Sequence, residues 1–518
     1  MNDIAVTESR NAINVIDRAK PLRDALQKHD LWTPHQTAAR RWPIGCVSLE
    51  VTQRCNLDCT LCYLSEHSEA VHDYPLEEIF RRIDLIADQY GPNTDVQVSG
   101  GDPTLRKREE LVAIVAYIRA KGMRSSLFTN GILATRELLA ELVAAGLSDV
   151  AFHVDLTQER KGYDTETSLN VVRDEYIERA RGLGLSVFFN TTVYDANLSE
   201  VPMLARFFAE RSDVVRLVSF QLQASTGRGT LGARDDIVSQ HSVMRLIERG
   251  AATPLNFDAL IGGHPSCNRY ATAITVGRGA STRAHDLFRD GDFIARVMRE
   301  TADVVIDRRS NVRAALSVVR AILMRPGLAL AGIRALWRLL WRMKRDVPRV
   351  AQGVNKISYF LHNFMDASAL EQERLDTCVF MAAGPDGPIP MCQFNAERDR
   401  HLLRSLKLKD GSMWNPLQGR TELGADALPL EPQAVARVYP IKFLKGRSRE
   451  IASRARRADA QSKSATNMPA ESVRGDPVSS AVVNAALTLT NVRGDPVSST
   501  GVNAALTLTN VRGELVEP

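Results

Sequence analysis

Three cysteines near the amino terminus have the spacing of an iron–sulfur motif. Cys55, Cys59 and Cys62 follow the pattern Cys-x3-Cys-x2-Cys. Three thiolates can bind three irons of a cubane cluster and leave the fourth iron open for a substrate or cofactor, whereas a fully ligated cluster mainly transfers electrons. A zinc site is the alternative, with His67 and His72 as candidates for the fourth ligand that zinc requires.

The segments that position these cysteines indicate alternating strands and helices. Apolar runs of strand length lie at residues 45–51, 95–98, 125–128, 150–154, 186–193 and 214–222, and amphipathic segments of helical length follow them at 76–90, 107–120, 136–145, 166–182, 198–210 and 235–249. This order predicts an α/β fold, a partial (β/α)6 TIM-like barrel with a helical and small β-hairpin C-terminal extension. Chemistry in such a barrel lies at the carboxyl ends of the strands, and the cysteine motif follows the first strand.

Two further motifs follow the second and third predicted strands. The run Ser-Gly-Gly-Asp-Pro-Thr contains Gly100 and Gly101, where the backbone can approach a ligand closely. Its Asp102 offers a carboxylate to an ammonium group. Asn130 lies in the run Thr-Asn-Gly at the end of the third strand. Each run alone is a common turn.

Taken together, these three motifs and their order resemble the radical S-adenosylmethionine (SAM) superfamily over residues of about 44–225. The resemblance implies a 4Fe–4S cluster on Cys55, Cys59 and Cys62, with its open iron chelated by the amino and carboxyl groups of SAM. Reduction of the sulfonium would then give methionine and a 5′-deoxyadenosyl radical. The cofactor supplies this chemistry, and the protein orients it and excludes water.

The resemblance also implies which residues contact SAM. The loop of Gly100, Gly101, Asp102 and Pro103 would receive the amino group, and the backbone around Leu61 and Tyr63 would flank the adenine. Polar residues at later strand ends are candidate contacts to the ribose or carboxylate: Asn130, Asp155, Asn190, Gln221 and Gln223. The alternative is that these side chains satisfy backbone groups. The family usually has Glu where Asp102 stands, and often an aromatic residue at the position of Leu61.

The remaining cysteines suggest a second metal site. Cys378 and Cys392 bracket a predicted hairpin whose turn is Gly-Pro-Asp-Gly-Pro, and Cys267 follows the run His-Pro-Ser. This pattern resembles the branch of tetraether lipid synthases and pterin radical methyltransferases, which implies an auxiliary iron–sulfur cluster on the three residues. Free buried thiols are the alternative. Cys46 lies within the first strand and is interpreted as a core residue.

The second half of the chain changes character after residue 250. Residues 254–276 are interpreted as loop-rich and 285–350 as largely helical. The predicted organisation is a helical lead-in at 1–42, the barrel at 43–250, the extension at 251–400, an ordered or partly ordered segment at 401–458 and a disordered tail at 459–518. The tail repeats the run Val-Arg-Gly-Asp-Pro-Val-Ser-Ser, and fewer than three whole copies cannot stack a repeat core.

Residues 311–349 form a basic amphipathic segment. They contain eight Arg, one Lys and a single acidic residue, Asp346. Four arginines fall on one helical face, and apolar residues with two tryptophans fall on another: Arg334, Arg338, Arg342 and Arg345, against Ile333, Leu336, Trp337, Leu340 and Trp341. This pattern is typical of an interfacial membrane helix; a helix that packs against a domain is the alternative.

Composition narrows the function classes. The 518-residue chain has a net charge of +5, which gives no case for a nucleic-acid partner, and seven cysteines, an odd number that does not suggest a disulfide framework. The chain starts without a signal peptide and has no uninterrupted membrane span, so we expect a cytoplasmic protein, peripheral at the membrane if the basic helix binds there.

The expected activity is hydrogen abstraction from an unactivated carbon of a small molecule or lipid, with flavodoxin or ferredoxin as the reductant. A peptide- or protein-modifying maturase and a non-catalytic iron–sulfur electron-transfer protein are the alternatives. The intact Gly-Gly-Asp-Pro-Thr run argues against the last of these, because electron transfer has no use for a methionine-binding loop.

Overall fold

The structure, a computed structural model, describes residues 17–40, 42–304 and 311–421. The strands are β1 (Cys46–Thr52), β2 (Asp95–Gly100), β3 (Arg124–Thr129), β4 (Leu147–His153), β5 (Ser186–Val193), β6 (Val215–Leu222), β7 (Asn268–Val276), β8 (Arg283–Asp286), β9 (Val354–Asn363), β10 (Phe380–Gly384), β11 (Gly387–Pro390), β12 (Leu406–Lys407), β13 (Met413–Asn415) and β14 (Gly419–Thr421). The predicted tail at 459–518 lies outside the described residues.

The α-helices of the described chain alternate with the first six strands and then form the extension. They are α1 (Lys20–Lys28), α2 (Leu76–Tyr90), α3 (Arg108–Ala120), α4 (Arg136–Ala145), α5 (Asn170–Ala180), α6 (Val201–Ala209), α7 (Gln240–Ala251), α8 (Gly291–Glu300), α9 (Asn311–Leu323), α10 (Pro326–Met343), α11 (Val347–Val350), α12 (Gln372–Asp376), α13 (Met391–Ala396) and α14 (Arg398–Leu402). In the predicted lead-in, α1 is present, and residues 1–16 lie outside the described chain.

Strands β1 to β6 lie side by side in sequence order and run parallel. All six predicted strands and the helices between them are present, with ends that differ by a few residues. The partial (β/α)6 barrel predicted from the alternation is confirmed. Its strands are apolar because helices cover the sheet; β1, for example, is buried along its whole length.

The C-terminal extension adds strands to both edges of this six-stranded unit. Strand β9 pairs parallel with β6, and β7 and β8 continue the sheet antiparallel from β9. The interpretation of residues 254–276 as loop-rich was therefore wrong for 268–276, which form β7. An open barrel leaves two rows of unpaired backbone groups at its edges, and pairing with β9 satisfies the row on β6.

The predicted hairpin between Cys378 and Cys392 is confirmed. Strands β10 and β11 pair antiparallel through Met381 and Pro390, and β10 pairs parallel with β1. The hairpin thus covers the other edge of the barrel. One sheet of eleven strands results, in the order β11-β10-β1-β2-β3-β4-β5-β6-β9-β7-β8. A separate small sheet holds β12, β13 and β14.

The helical part of the extension, predicted at 285–350, contains α8, α9, α10 and α11. No single described helix is long and apolar enough to cross a membrane. Residues Ala315–Leu323 and Pro326–Met343 meet the length and composition criteria only as a pair, and their axes are bent by 120° at the break. Pro326 begins α10, where its missing N–H removes no helical hydrogen bond.

A buried ion pair ties the C-terminal residues to the first strand. The Nη1 atom of Arg398 lies 2.8 Å from both carboxylate oxygens of Glu50. Glu50 is on β1, and Gln53 donates to the same carboxylate at 2.7 Å. Both charged side chains are less than a tenth exposed, so each depends on the other for compensation of its charge.

We expect Arg398→Ala to lower the free energy of unfolding by about 3–5 kcal/mol, because it leaves the Glu50 carboxylate buried without its cation. Arg400, two residues on, is the matched control, since its side chain is 74% exposed in a surface pair with Glu397. Arg400→Ala should cost less than about 1 kcal/mol. Chemical denaturation measures both, and equal losses in the two variants would contradict the assignment.

Candidate active site at the carboxyl ends of the strands

The cysteine motif lies in the loop that follows β1, as predicted. Cys55 is buried, and Cys59 and Cys62 are half-buried. Burial raises the pKa of Cys55 to about 11. It also raises the pKa of Cys59, and the neighbouring thiols of Cys62 and Cys55 add to that rise. Three thiols this close repel one another as thiolates, so bound iron would displace their protons and supply the compensating charge.

Loops from other strands hold the cysteine loop in place. The backbone N–H of Thr60 donates to the carbonyl of Thr157, after β4, at 2.7 Å. After β6, the N–H groups of Thr230 and Arg228 donate to the carbonyls of Thr60 at 2.7 Å and of Leu64 at 2.8 Å. The loop after β6 therefore lies directly against the cysteine loop.

The side chain of Arg228 extends into this site with unused donors. It is fully buried, and its Nε and Nη1 atoms have no hydrogen-bond partner. The carboxylates of Asp58 and Glu69 lie 3.8 and 4.0 Å away, beyond hydrogen-bonding distance. Burial opposes the charged form of Arg228, but the neighbouring Cys62 thiol and Asp58 carboxylate raise the pKa of Arg228. Buried donors of this kind fit an anionic group held by the cysteines.

The two glycines after β2 allow that strand to pack against the start of the cysteine loop. A Cβ atom on Gly100, whose φ is +119°, would lie 2.0 Å from the carbonyl oxygen of Thr52, and one on Gly101 would lie 2.0 Å from that of Arg54. The N–H groups of Gly101 and Asp102 donate to the same two carbonyls at 2.9 and 2.8 Å. The close approach that requires glycine is therefore an approach to the chain's own backbone.

Asp102 joins the end of β2 to the end of β3. Its carboxylate is fully buried and accepts hydrogen bonds from the N–H of Thr104 at 3.0 Å, the hydroxyl of Thr129 at 2.9 Å and the N–H of Asn130 at 2.8 Å. The Thr104 hydroxyl is a further donor. The predicted contact of Asp102 with a methionine amino group stays a prediction; in the structure this carboxylate binds its own loops.

Tyr63 connects the cysteine loop to the glycine loop. Its hydroxyl donates to the carbonyl of Gly100 at 2.6 Å, and the guanidinium of Arg398 lies 4.7 Å from the centre of its ring. Pro103, the last residue of the glycine loop, begins a short 3-10 helix and is buried. The backbone around Tyr63 and Leu61 is thus placed beside the loop that resembles the methionine-binding motif.

The polar residues predicted at later strand ends make hydrogen bonds to side chains and backbone of the chain itself. Asn130 donates to the side-chain oxygen of Asn56 at 2.6 Å, and Asn190 donates to that of Gln221 at 2.9 Å. Gln223 is buried and donates to the carbonyl of Gly232. Asn130 follows β3, and Gln221 and Gln223 lie at the carboxyl end of β6, whereas Asn190 lies within β5. Their contacts with SAM stay predictions.

Asp155, after β4, is a fully buried carboxylate. It lies 2.6 Å from Nε2 of His153 and accepts from the N–H groups of Thr157 and Thr192. Burial alone would raise the pKa of Asp155, but the neighbouring His153 and these donors lower it to about 2. His153 is a residue that the sequence analysis did not identify, because a single histidine at a strand end carries no signal.

The three cysteines predicted for an auxiliary cluster converge in the structure. Cys267 precedes β7, Cys378 precedes β10 and Cys392 is in α13, yet all three line one pocket. Burial raises the pKa of Cys378 to about 12, with a contribution from Cys392. Arg374 donates to the sulfur of Cys267 at 3.2 Å. Burial raises the pKa of Cys267, and this cationic donor opposes the rise.

Two histidines share this pocket and were missed from the sequence. His264 and His362 line it with the cysteines. The ring of His362 packs among Phe360, Phe364 and Phe380, and burial lowers the pKa of His362 to about 3. It is therefore a neutral imidazole, the form that ligates metals. Only its position on β9, the strand that pairs with β6, brings it to the cysteines.

The structure also locates Cys46 and one of the histidines considered for a zinc site. Cys46 is buried within β1, as a core residue is. His67, one of the candidate fourth ligands of zinc, faces the carboxylate of Asp399 at 3.9 Å. In residues 17–40, 42–304 and 311–421, no three His, Cys, Asp or Glu side chains are grouped to hold a single metal ion.

Comparison with known proteins identifies this arrangement. The profile of the family described as "Radical SAM superfamily" matches residues 49–208, which include the cysteine loop and the glycine loop. Residues 49–208 are thus a radical SAM domain. The cofactors that the sequence implies, a 4Fe–4S cluster and SAM, are those of this superfamily, and the three thiols with the unused donors of Arg228 fit the cluster.

Among curated relatives, the chain is 32% identical over 188 residues to 7,8-dihydro-6-hydroxymethylpterin dimethyltransferase of Methanocaldococcus jannaschii. The aligned region covers 35% of this chain and 37% of that protein. It is 30% identical over 209 residues to Fe-coproporphyrin III synthase of Methanosarcina barkeri, covering 38% and 50%. The chain spans half or less of these relatives. A solved structure of Streptococcus suis SuiB bound to S-adenosylmethionine is 17% identical, covers 44% of this chain and 50% of that one, and has a TM-score of 0.31.

We expect Arg228→Gln to lower the reduction potential of the radical SAM cluster by on the order of 100 mV, because a buried positive charge favours the reduced, more negative cluster. Arg228→Lys, which keeps the charge, should recover most of this difference. A redox titration monitored by electron paramagnetic resonance measures the potential, and iron analysis shows whether each variant retains its cluster. Equal potentials in the wild type and Arg228→Gln would refute a role of this charge.

Proposed function

We propose that this chain is a radical SAM enzyme that cleaves SAM reductively and abstracts a hydrogen atom from an unactivated carbon of its substrate. The observation that carries the proposal is the packing of the cysteine loop against the glycine loop, through the bond from Gly101 to Thr52 and the bond from Tyr63 to Gly100. When bound, the cluster and SAM supply a 5′-deoxyadenosyl radical at this edge of the sheet.

The residues of the chain have separate tasks in this proposal. Cys55, Cys59 and Cys62 would bind three irons, and the buried Arg228 would donate to the negatively charged cluster. Asp102 fixes the glycine loop against the end of β3, so the groups that receive methionine are already positioned before it binds. A reductant such as flavodoxin or ferredoxin delivers the electron.

The auxiliary cluster forms part of the same proposal. Its support is the pocket in which Cys267, Cys378 and Cys392 meet although they lie far apart in the sequence. The pocket lies where β9 and β10 flank the two edges of the barrel, and Arg374 supplies a cationic donor there. Three thiols fit a cluster that keeps one iron available for a further ligand.

For the substrate class we propose a lipid, with coupling or methylation of a chain carbon as the outcome. The support is the apolar helical pair α9 and α10, whose large side chains are exposed. A peptide-modifying maturase is the second candidate. It is favoured by a relative named PqqA peptide cyclase from Xanthomonas euvesicatoria, 32% identical over 176 residues.

The activity is tested with anaerobically reconstituted protein, dithionite and SAM. We expect formation of 5′-deoxyadenosine, at a rate at least about 100-fold above that of Cys55→Ala, because loss of one ligand removes the site-differentiated cluster. Cys46→Ala is the matched control, since that thiol is buried in β1 and should leave the rate unchanged. No product above the Cys55→Ala background would overturn the proposal.

Iron analysis tests the second cluster. We expect about eight irons per chain in the wild type and about four in Cys378→Ser with Cys392→Ser, because a second cubane binds through these thiols. Electron paramagnetic resonance of the double variant should keep the signal of the SAM-binding cluster. About four irons in the wild type would eliminate the auxiliary cluster and leave the SAM cleavage proposal standing.

Profiling of lipids and of short peptides in a deletion strain, complemented with wild type or Cys55→Ala, separates the substrate classes. A lipid that disappears on deletion and returns only with the wild type supports the lipid proposal. Loss of a modified peptide with an unchanged lipid profile would instead support the maturase.

A further inference from the structure

The helical hairpin formed by α9 and α10 exposes an apolar surface. In the described part of the chain, thirteen of the eighteen exposed large apolar side chains lie between residues 316 and 354. Those on the two helices are Leu316, Val319, Leu323, Leu330, Ile333, Leu336, Trp337, Leu340 and Trp341; we term them the hairpin apolar face. Contiguous exposed apolar surface of this kind marks an interaction site.

This face is additional to the one by which α10 packs on the protein. Leu328 and Met343 of α10 are buried, and Gly332 lies against Ile322 of α9 and Phe293 of α8. These inner residues supply the packing that an amphipathic surface helix needs. The outer apolar residues, which include Trp337 at 64% exposure, take no part in this packing.

Positive charge borders the hairpin apolar face. From 311 to 345 the sequence has no Asp or Glu. Arg334 and Arg345 have no carboxylate partner among the described residues, and Lys344 lies 4.0 Å above the ring of Trp341. Two of the four arginines predicted on the basic helical face make contacts with the protein instead. Arg338 forms an ion pair with Asp290 at 2.6 Å. Arg342 also faces inward and donates to the carbonyl of Asp286 at 3.2 Å.

We propose that the hairpin apolar face docks on a lipid bilayer that contains anionic lipids. Apolar side chains would enter the acyl boundary, the two tryptophans would lie at the level of the headgroups, and Arg334, Lys344 and Arg345 would bind lipid phosphates. The 120° bend between the helices suits a pair that lies in the interface. This docking does not depend on the radical chemistry proposed above.

Charge favours the bilayer over the other possible occupants of this face. The C-terminal segment 437–457 contains eight Lys and Arg residues and one acidic residue, Glu450, so it would be repelled by the basic border. A second copy of the chain would bring the same basic border to the contact. Anionic headgroups complement the basic border of the hairpin, since Lys and Arg beside a membrane helix bind anionic lipid.

Flotation of the full-length protein with vesicles tests the docking. We expect binding to vesicles of phosphatidylcholine with phosphatidylglycerol, and weaker binding to phosphatidylcholine alone. Arg334→Gln with Arg345→Gln should weaken binding to the anionic vesicles by about thirtyfold, since each basic residue near such a surface contributes a factor of about five. Trp337→Glu with Trp341→Glu should weaken binding to both kinds of vesicle.

Matched controls come from exposed residues elsewhere. Val171→Glu with Ile237→Glu makes the same type of change at exposed apolar positions outside the hairpin, and should leave flotation unchanged. Circular dichroism and iron content verify that each variant is folded. Tryptophan emission gives a second readout: brominated lipid should quench the wild type, and Trp337→Phe with Trp341→Phe should lose most of that quenching.

Two results would overturn the proposal. One is flotation of the two hairpin variants that equals that of the wild type. The other is a dimeric wild type and a monomeric Trp337→Glu, Trp341→Glu variant, as measured by light scattering, with no vesicle binding by either protein. This result would assign the face to a second copy of the chain.

Discussion

The carboxyl end of β2 packs on the beginning of the cysteine loop so closely that a single methyl group at Gly100 or Gly101 would collide with the carbonyls of Thr52 or Arg54. This contact determines where both halves of the cofactor site lie. The cysteine loop has no regular structure of its own, so it takes its position from neighbours: the end of β2, the loop after β4 and the loop after β6. Asp102 extends the arrangement to β3 by accepting hydrogen bonds from Thr129 and Asn130.

The extension completes the barrel rather than standing beside it. Six parallel strands leave two unpaired edges, and strands from the C-terminal part cover both, β10 on β1 and β9 on β6. Because the strands flanking both edges bring their own loops, Cys267, Cys378, Cys392 and His362 meet in one pocket. The buried pair of Glu50 and Arg398 further connects β1 with the C-terminal helices. Stability of the barrel and the presence of the second cysteine site are therefore physically linked.

The sequence predicted most of what depends on local pattern. Periodicity located the six parallel strands, and motif order located the cysteine and glycine loops at their carboxyl ends. The strands that the extension adds were harder to predict: β7 was interpreted as loop, because its pairing with β9 is a long-range contact with no local signal. The burial of side chains and their hydrogen-bond partners could not be predicted from the sequence either. Asp102 has the charge expected for an ammonium contact, yet only the structure shows its oxygens bound to Thr104, Thr129 and Asn130. Arg228 carries no motif, and its unused donors appear only where β6 meets the cysteine loop.

The central claim is that the three cysteines leave one iron open and that SAM chelates it. Electron–nuclear double resonance of the reduced protein, with SAM labelled with nitrogen-15 at its amino group, measures this contact directly. A hyperfine coupling of the labelled nitrogen to the cluster, absent from Cys55→Ala, is the predicted result. A reduced cluster in the wild type without such a coupling, at saturating SAM, would contradict the account.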